Sequence, residues 1–146
     1  MDKVVIMNNK QISENLDVIQ NIIQIYTKTE GGVPILTPPD PLFSYILGRN
    51  CRILKNEFYD FNESRKEAVR KYGKYEENED GSGSYVIDMK DKDQVKAYED
   101  YIDKLNKVEH EVKLSMITLD QLREWNLPIQ VETLLWFLID DPRINN

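Results

Sequence analysis

The stretch from Asp40 to Gly73 predicts one long helix, about 41–72, and every other segment has to be placed around it. Asp40 offers a carboxylate that can accept from orphan amides at a helix start, and Pro41 suits the first helical position, where its missing N–H costs nothing. Gly73 is expected to end the helix by taking the left-handed conformation that glycine adopts cheaply. Between these ends Leu47, Cys51, Leu54, Phe58, Phe61, Arg65, Ala68 and Tyr72 recur at alternating spacings of four and three, which places all eight on one stripe. At 1.5 Å per residue such a helix runs roughly 48 Å. A domain of this length needs less, so part of the helix is expected to project or to pair with another chain.

A chain of 146 residues with 40% apolar and 31% charged residues can bury a core without disulfides, and the expected organisation is a single domain, 1–146. Cys51 is the one cysteine and lies on the apolar stripe, where a small buried hydrophobe is expected. The opening residues lack the basic start and apolar core of a signal peptide, and the longest apolar run, Leu134 to Ile139, is far too short to span a membrane. The expected location is therefore intracellular, where the chain is made. A net charge of −7 argues against direct nucleic-acid binding, which rests on Lys and Arg replacing counterions. The charge is uneven: residues 41–73 carry seven basic side chains against four acidic ones, whereas 74–93 carry three against seven. A basic helix facing acidic flanks is self-complementary within one chain.

Before the long helix, Val4 to Ile6 is β-prone, and Asn8-Asn9 can cap a helix from about Lys10 to Lys28 whose stripe is Ile12, Leu16, Ile19, Ile22, Ile23 and Tyr26. That stripe is expected to pack antiparallel on the N-terminal half of the long helix. Two glycines and four prolines between Gly31 and Pro41 predict an extended, rigid connector at 31–41. After Gly73 an acidic flap, 74–90, carries the turn pair Asp80-Gly81 and then Tyr85, Val86 and Ile87, the pattern of a β-hairpin. A third helix opens with a capping box at Asp91 to Gln94 and carries Val95, Tyr98, Tyr101, Ile102, Leu105 and Val108 on one side. The alternation of Val112, Leu114 and Met116 with Glu111, Lys113 and Ser115 predicts a half-buried strand, paired with Val4–Met7 or with the arm Tyr85–Asp88. A second capping box, Thr118 to Gln121, starts a short helix that Asn126 and Pro128 end, and Thr133 to Ile139 reads as a buried terminal helix closed by Pro142. The expected class is α+β, mainly α: the long central helix packed with N-terminal and C-terminal helices, plus a small hairpin or sheet at about 74–88 and 111–117.

Little in the sequence points to catalysis. His110 is the only histidine, which leaves one imidazole for any metal site or relay, and it is expected to be exposed and idle between Glu109 and Glu111. Glu57, Asp60, Glu63 and Glu67 share a helix face, where pairs such as Glu67 with Lys71 account for them as a solvated surface. The Gly81-Ser82-Gly83 segment lacks the Lys-Ser/Thr that a phosphate loop requires. No catalytic residue, metal site or cofactor is expected. Arg65 is the exception on the apolar stripe, and an ion pair with a carboxylate is the expected reason, with stacking on Tyr72 or another aromatic as the alternative. Tyrosine and arginine are also what protein interfaces favour, so Tyr59, Arg65, Tyr72, Tyr75 and Tyr85 are the candidate partner-binding residues.

Residues 57–139 carry Glu57, Arg65, Tyr72-Gly73, the Asp80-Gly81 turn, Tyr98, Leu105, Glu109-His110-Glu111-Val112, Ile117, Leu122 and Leu134. In that pattern, and in a start running into Asn9-Lys10-Gln11, the chain resembles a family of small uncharacterised proteins of phages and prophages from low-GC Gram-positive bacteria. The resemblance implies a phage setting among tail and lysis genes, with the host cytoplasm or association with the virion as the location, no established activity and no catalytic residues. The leading expectation is a non-enzymatic protein that binds a phage or host protein, as a tail-module assembly accessory or minor virion component, with homo-oligomerisation through the stripe as one mode. The alternative is an acidic inhibitor of a host defence or nucleic-acid enzyme, and a metal-dependent hydrolase stands third.

Overall fold

The computed structural model describes residues 2–143. The chain is mainly helical with small two-stranded sheets. Strand β1 (Asp2–Asn8) runs directly into helix α1 (Asn9–Thr27), because Asn8 caps it with a complete capping box: its side chain accepts from the Gln11 N–H while the Gln11 side chain accepts from the Asn8 N–H. Next comes a tight hairpin, β2 (Thr29–Glu30) and β3 (Val33–Pro34). The connector is thus not extended throughout. Gly31 and Gly32 both take positive φ, +58° and +80°, the two left-handed positions that a two-residue hairpin turn demands; Pro34 lies in β3, and the other prolines stiffen the segment from there to Pro41.

Helix α2 (Pro41–Tyr72) occurs as its caps and periodicity predict. Asp40 has two tasks there: one carboxylate oxygen accepts from the Phe43 N–H at 3.0 Å, and the other from the Trp125 indole N–H at 2.7 Å. Trp125 in turn meets Phe43 edge-on, and Phe43 meets Tyr26 at the end of α1. The start of α1 lies near the middle of α2, where Asn9 bonds His110 and His110 faces Glu57. Contacts at both ends therefore make α1 and α2 antiparallel, with α1 on the N-terminal half of α2. Gly73 ends the helix differently from expectation. Its backbone is extended (φ −95°), and glycine is required because a Cβ would collide with the carbonyls of Val69 and Val86.

Beyond α2 lie the hairpin β4 (Lys74–Glu77) and β5 (Gly83–Val86), helix α3 (Lys92–Asn106) and strand β6 (Glu109–Ser115). Asp91 caps α3, but Gln94 accepts from the Asp88 N–H rather than returning to Asp91, so the box is only half made. Of the two partners considered for the alternating strand, β1 is the one found: β1 and β6 pair antiparallel, with Val5 opposite Val112. Val112, Leu114, Met116 and Ile117 are all buried. Then come β7 (Ile117–Thr118), α4 (Leu119–Trp125) with both halves of its Thr118–Gln121 box, and Asn126 in the left-handed region at φ +44°. The expected terminal helix at 133–139 is not formed. Helix α5 (Ile129–Leu134) starts after Pro128, gives way to a 3₁₀ turn at Trp136–Leu138, and ends in β8 (Ile139–Asp140) parallel to β7. Leu135, Leu138 and Ile139 are buried while Leu134 and Trp136 are exposed, so the apolar run has an outer side after all.

The core gathers α1, the N-terminal half of α2, β6 and the segments from α4 to the 3₁₀ turn; Ile12, Ile19, Ile22, Leu54, Leu114 and Leu138 are wholly enclosed. Cys51 is buried among them as a free thiol. Two polar side chains, Asn50 and Asp141, lie equally deep among the described residues, and Asp141 accepts from Arg143. Asn50 accepts from the Ser115 N–H and donates to the Ser115 carbonyl, both at 2.8 Å, satisfying the strand edge as a neighbouring strand would. The Ser115 hydroxyl donates to Asp2, which also accepts from Arg49, so α2 holds the ends of both strands.

Asn50→Ala strands a buried N–H and a buried carbonyl and is expected to cost about 2 to 4 kcal/mol in urea unfolding; a loss below about 0.5 kcal/mol would contradict this role. The indole hydrogen bond from Trp125 holds the Asp40 carboxyl below the ordinary aspartate range, helped by the Phe43 N–H. A depressed carboxyl contributes stability above its unfolded value, roughly 3.9, and loses it as pH falls through the folded value. Asp40→Asn should therefore melt lower at neutral pH yet lose less on acidification from roughly pH 5 to pH 3, as read by thermal melts.

Candidate functional site

Past Phe58, which still packs on the main core, the long helix leaves it, and its only buried positions there are Phe61 and Ala68. It is covered there by α3 and the β4–β5 hairpin. Helix α3 buries no residue completely: Val95, Tyr98, Tyr101, Ile102 and Leu105 are half-covered, and Val108 just beyond it is exposed. This arm is a thin layer with two tethers. Tyr72 rests on Tyr101 with ring centres 6.0 Å apart, and Asn9 donates to the Leu105 carbonyl at 2.8 Å.

The hairpin folds against the last turns of α2. Its turn is built by Gly81 at φ +86° and by Asp80, whose carboxylate accepts from the Ser82 hydroxyl and N–H. Those bonds, the hydroxyl first, hold the Asp80 carboxyl below the ordinary aspartate range. The register sets Tyr75 opposite Tyr85, and the rings meet edge-on with centres 5.4 Å apart. Tyr75 also lies across the bare backbone of Gly83, where any Cβ would collide with its ring. Between hairpin and helix runs an open groove of about 620 Å³ lined by Lys66, Val69, Arg70, Tyr75, Gly83, Ser84 and Tyr85.

The five predicted binding residues divide into two sets. Tyr75 and Tyr85 line this groove and remain 56% and 45% exposed. Tyr59, 62% exposed, stands on the outer line of α2, seven and eleven residues before Lys66 and Arg70 and so on their side of the helix. Arg65 and Tyr72 belong to the inner line instead. Among the described residues Arg65 shows no carboxylate partner, and the stacking alternative holds instead: its guanidinium lies over Phe58 and Phe61, 5.9 and 5.6 Å from the ring centres, and donates to Asn62. Aromatic faces one and two turns earlier on the same helix satisfy it without any distant acid. Lys66 and Arg70 escaped the sequence reading, although their spacing from Tyr59 marks them. They pair with Glu63 and Glu67, one turn back, rather than through the expected Glu67–Lys71 pair, and such exposed pairs hold their charges loosely.

His110 is not idle. It is half-buried, its Nε2 lies 2.8 Å from the Asn9 side-chain oxygen, and its Nδ1 faces Glu57 at 3.7 Å. Since the Asn9 amide nitrogen donates to Leu105, its oxygen is the acceptor and Nε2 carries the hydrogen. The histidine thereby links α1, α2, β6 and, through Asn9, α3. Among the described residues no three or more His, Cys, Asp or Glu side chains are grouped to hold a metal ion. Among them, too, no helix is long and apolar enough to cross a membrane. Comparison of the chain with protein-family models, with curated proteins and with solved structures finds no match.

Because Tyr75 occupies the space that a side chain at Gly83 would fill, Gly83→Val should push the ring away and unseat the Tyr75–Tyr85 pair. The expected result is loss of amide protection across β4 and β5 and a changed near-ultraviolet tyrosine signal, while the melting of the main core barely moves. Unchanged hairpin protection would show that the contact is incidental.

Proposed function

We propose that the protein works without catalysis, by binding another protein through the outer face of the arm. The observation that carries this reading is the exposed pair Tyr75 and Tyr85 standing beside Lys66 and Arg70 over an open groove. Tyrosine and arginine are enriched where protein partners dock, because a ring buries a large rigid area and a guanidinium bonds carboxylates and carbonyls in fixed geometry. Tyr59 extends the same surface along α2. The half-covered face of α3 supports the reading in a second way, since a thin arm offers apolar area that a partner can finish covering.

A phage or prophage setting, with the protein as a tail-module assembly accessory or minor virion component, is part of the proposal and rests on the resemblance carried by residues 57–139. An acidic inhibitor of a host defence or nucleic-acid enzyme is favoured by one feature: Glu76, Glu77, Glu79 and Asp80 are all exposed around the hairpin turn.

The deciding experiment is recovery of bound protein from infected or induced cells with wild type and with Tyr85→Ala and Arg70→Glu variants. A phage protein held by wild type and lost from both variants is the expected result. A host nuclease released by moderate salt would favour the inhibitor, and equal recovery by all three chains would overturn the assignment to this face.

A further inference from the structure

The outer edge of β1 is the second unfinished surface, and it lies on the main body of the fold rather than on the arm. The hydrogen-bond pattern fixes which groups point there. Ser115 gives both its N–H and its carbonyl to Asn50, so it exchanges neither with Asp2, its partner across the sheet. By the alternation of an antiparallel ladder, the pairs Lys113–Val4 and Glu111–Ile6 are also of the non-bonded kind. The bond from the Asn9 N–H to the Val108 carbonyl, one step beyond the strands, agrees with this phase. Val4 and Ile6 therefore turn their N–H and carbonyl groups away from β6. Among the described residues those groups meet no other backbone.

The two free edges of this sheet are treated differently. Asn50 caps the edge of β6 at Ser115, while the centre of β1, Val4 to Met7, has no proline, bulge or charge, the charged Asp2 and Lys3 standing at the start of the strand. Instead Val4 and Ile6 stand 56% and 62% exposed, and a groove of about 320 Å³ runs beside them, floored by Met116 and Phe137.

We propose that a second copy of this chain pairs with this edge, β1 against β1, antiparallel about a twofold axis at Val5. The sequence of the strand is self-complementary in that register. Val4 of one copy faces Ile6 of the other in a bonded pair, Lys3 faces Met7, and Asp2 faces Asn8, so no like charges meet. The four exposed side chains form an apolar patch on the outer face, and in each row it is bounded by Lys113 of one copy and Glu111 of the other. The result is a continuous four-stranded sheet, β6-β1-β1-β6, with Val5 of each copy meeting on the axis above Phe137. A strand edge buries modest area, so the pairing is a concentration-dependent equilibrium rather than an obligate dimer.

The test is sedimentation of the full chain across a concentration series, comparing wild type with Val4→Pro and Ile6→Lys. Proline at position 4 removes an N–H that the β1–β6 ladder does not use, so the monomer should keep its circular dichroism and melting temperature. Lys at position 6 faces Glu111 in its own chain and suits the monomer equally well. Wild type is expected to pass from monomer to dimer as concentration rises, and both variants to stay monomeric. If Val4→Pro fails to fold, Ile6→Lys carries the same comparison. A wild type that stays monomeric throughout would leave the edge to a strand of some other protein and overturn the proposal, as would a dimer that both folded variants retain. Neither outcome bears on the arm, whose partner surface is separate.

Discussion

Two hydrogen bonds from one buried amide organise the molecule. Asn50 lies on the long helix between apolar neighbours, and it supplies the Ser115 N–H and carbonyl with the partners a third strand would have given. An edge strand can be laid against a helix only if its outward polar groups are satisfied, because burying them unpaired costs several times what a made hydrogen bond returns. With Ser115, the deep end of β6, satisfied in this way, the remaining elements fall into place. β6 lies along α2, β1 pairs with β6, and the Asn8 capping box sends α1 straight back over the sheet onto the same helix.

Closing the core in this way uses only part of α2. The helix is held by Asp40 and Trp125 at one end and by Asn50 in the middle, and it then continues for several turns beyond the main core. The cover over that second half is local: a hairpin fixed by Gly73 and Tyr75, and a third helix that encloses none of its residues. One helix thus belongs to two environments, a filled core and a half-covered arm. The exposed tyrosines and the loosely paired cations sit on the arm, which is why the arm carries the functional reading.

The sequence displayed the elements whose signals are local. Asp40-Pro41, a cap at Asn8-Asn9, Thr118 with Gln121 and the Asp80-Gly81 turn each satisfy backbone groups within a few residues, and each is found, the Gln11 half of the first box being added by the structure. Gly31-Gly32 carried an equally local signal, but the prolines around it argued for an extended chain and prevailed wrongly. Asn50 holds a stripe position, three after Leu47 and four before Leu54, yet its polarity hid its burial because its partner is 65 residues away. At Arg65 the favoured ion pair gave way to the alternative, stacking on an aromatic, because the nearest rings on the same helix were close enough to hold it. The run from Thr133 to Ile139 has no clear period, so a 3₁₀ turn and a strand could not be told from a helix there. Of the candidate surface, the hairpin tyrosines were named from the sequence and the helix cations were not, since Lys66 and Arg70 line a groove only when the hairpin folds beside them.

Whether α2 is one helix in two environments is measured most directly by native-state hydrogen exchange resolved by residue. Amides of α2 from about Phe43 to Phe58 should exchange only through global unfolding, together with those of α1 and β6. Those from Phe61 to Tyr72, with α3 and the hairpin, should open in a smaller unit at lower free energy. Uniform protection along the whole of α2 and α3 would contradict the division, and with it the case for the arm as the surface offered to a partner.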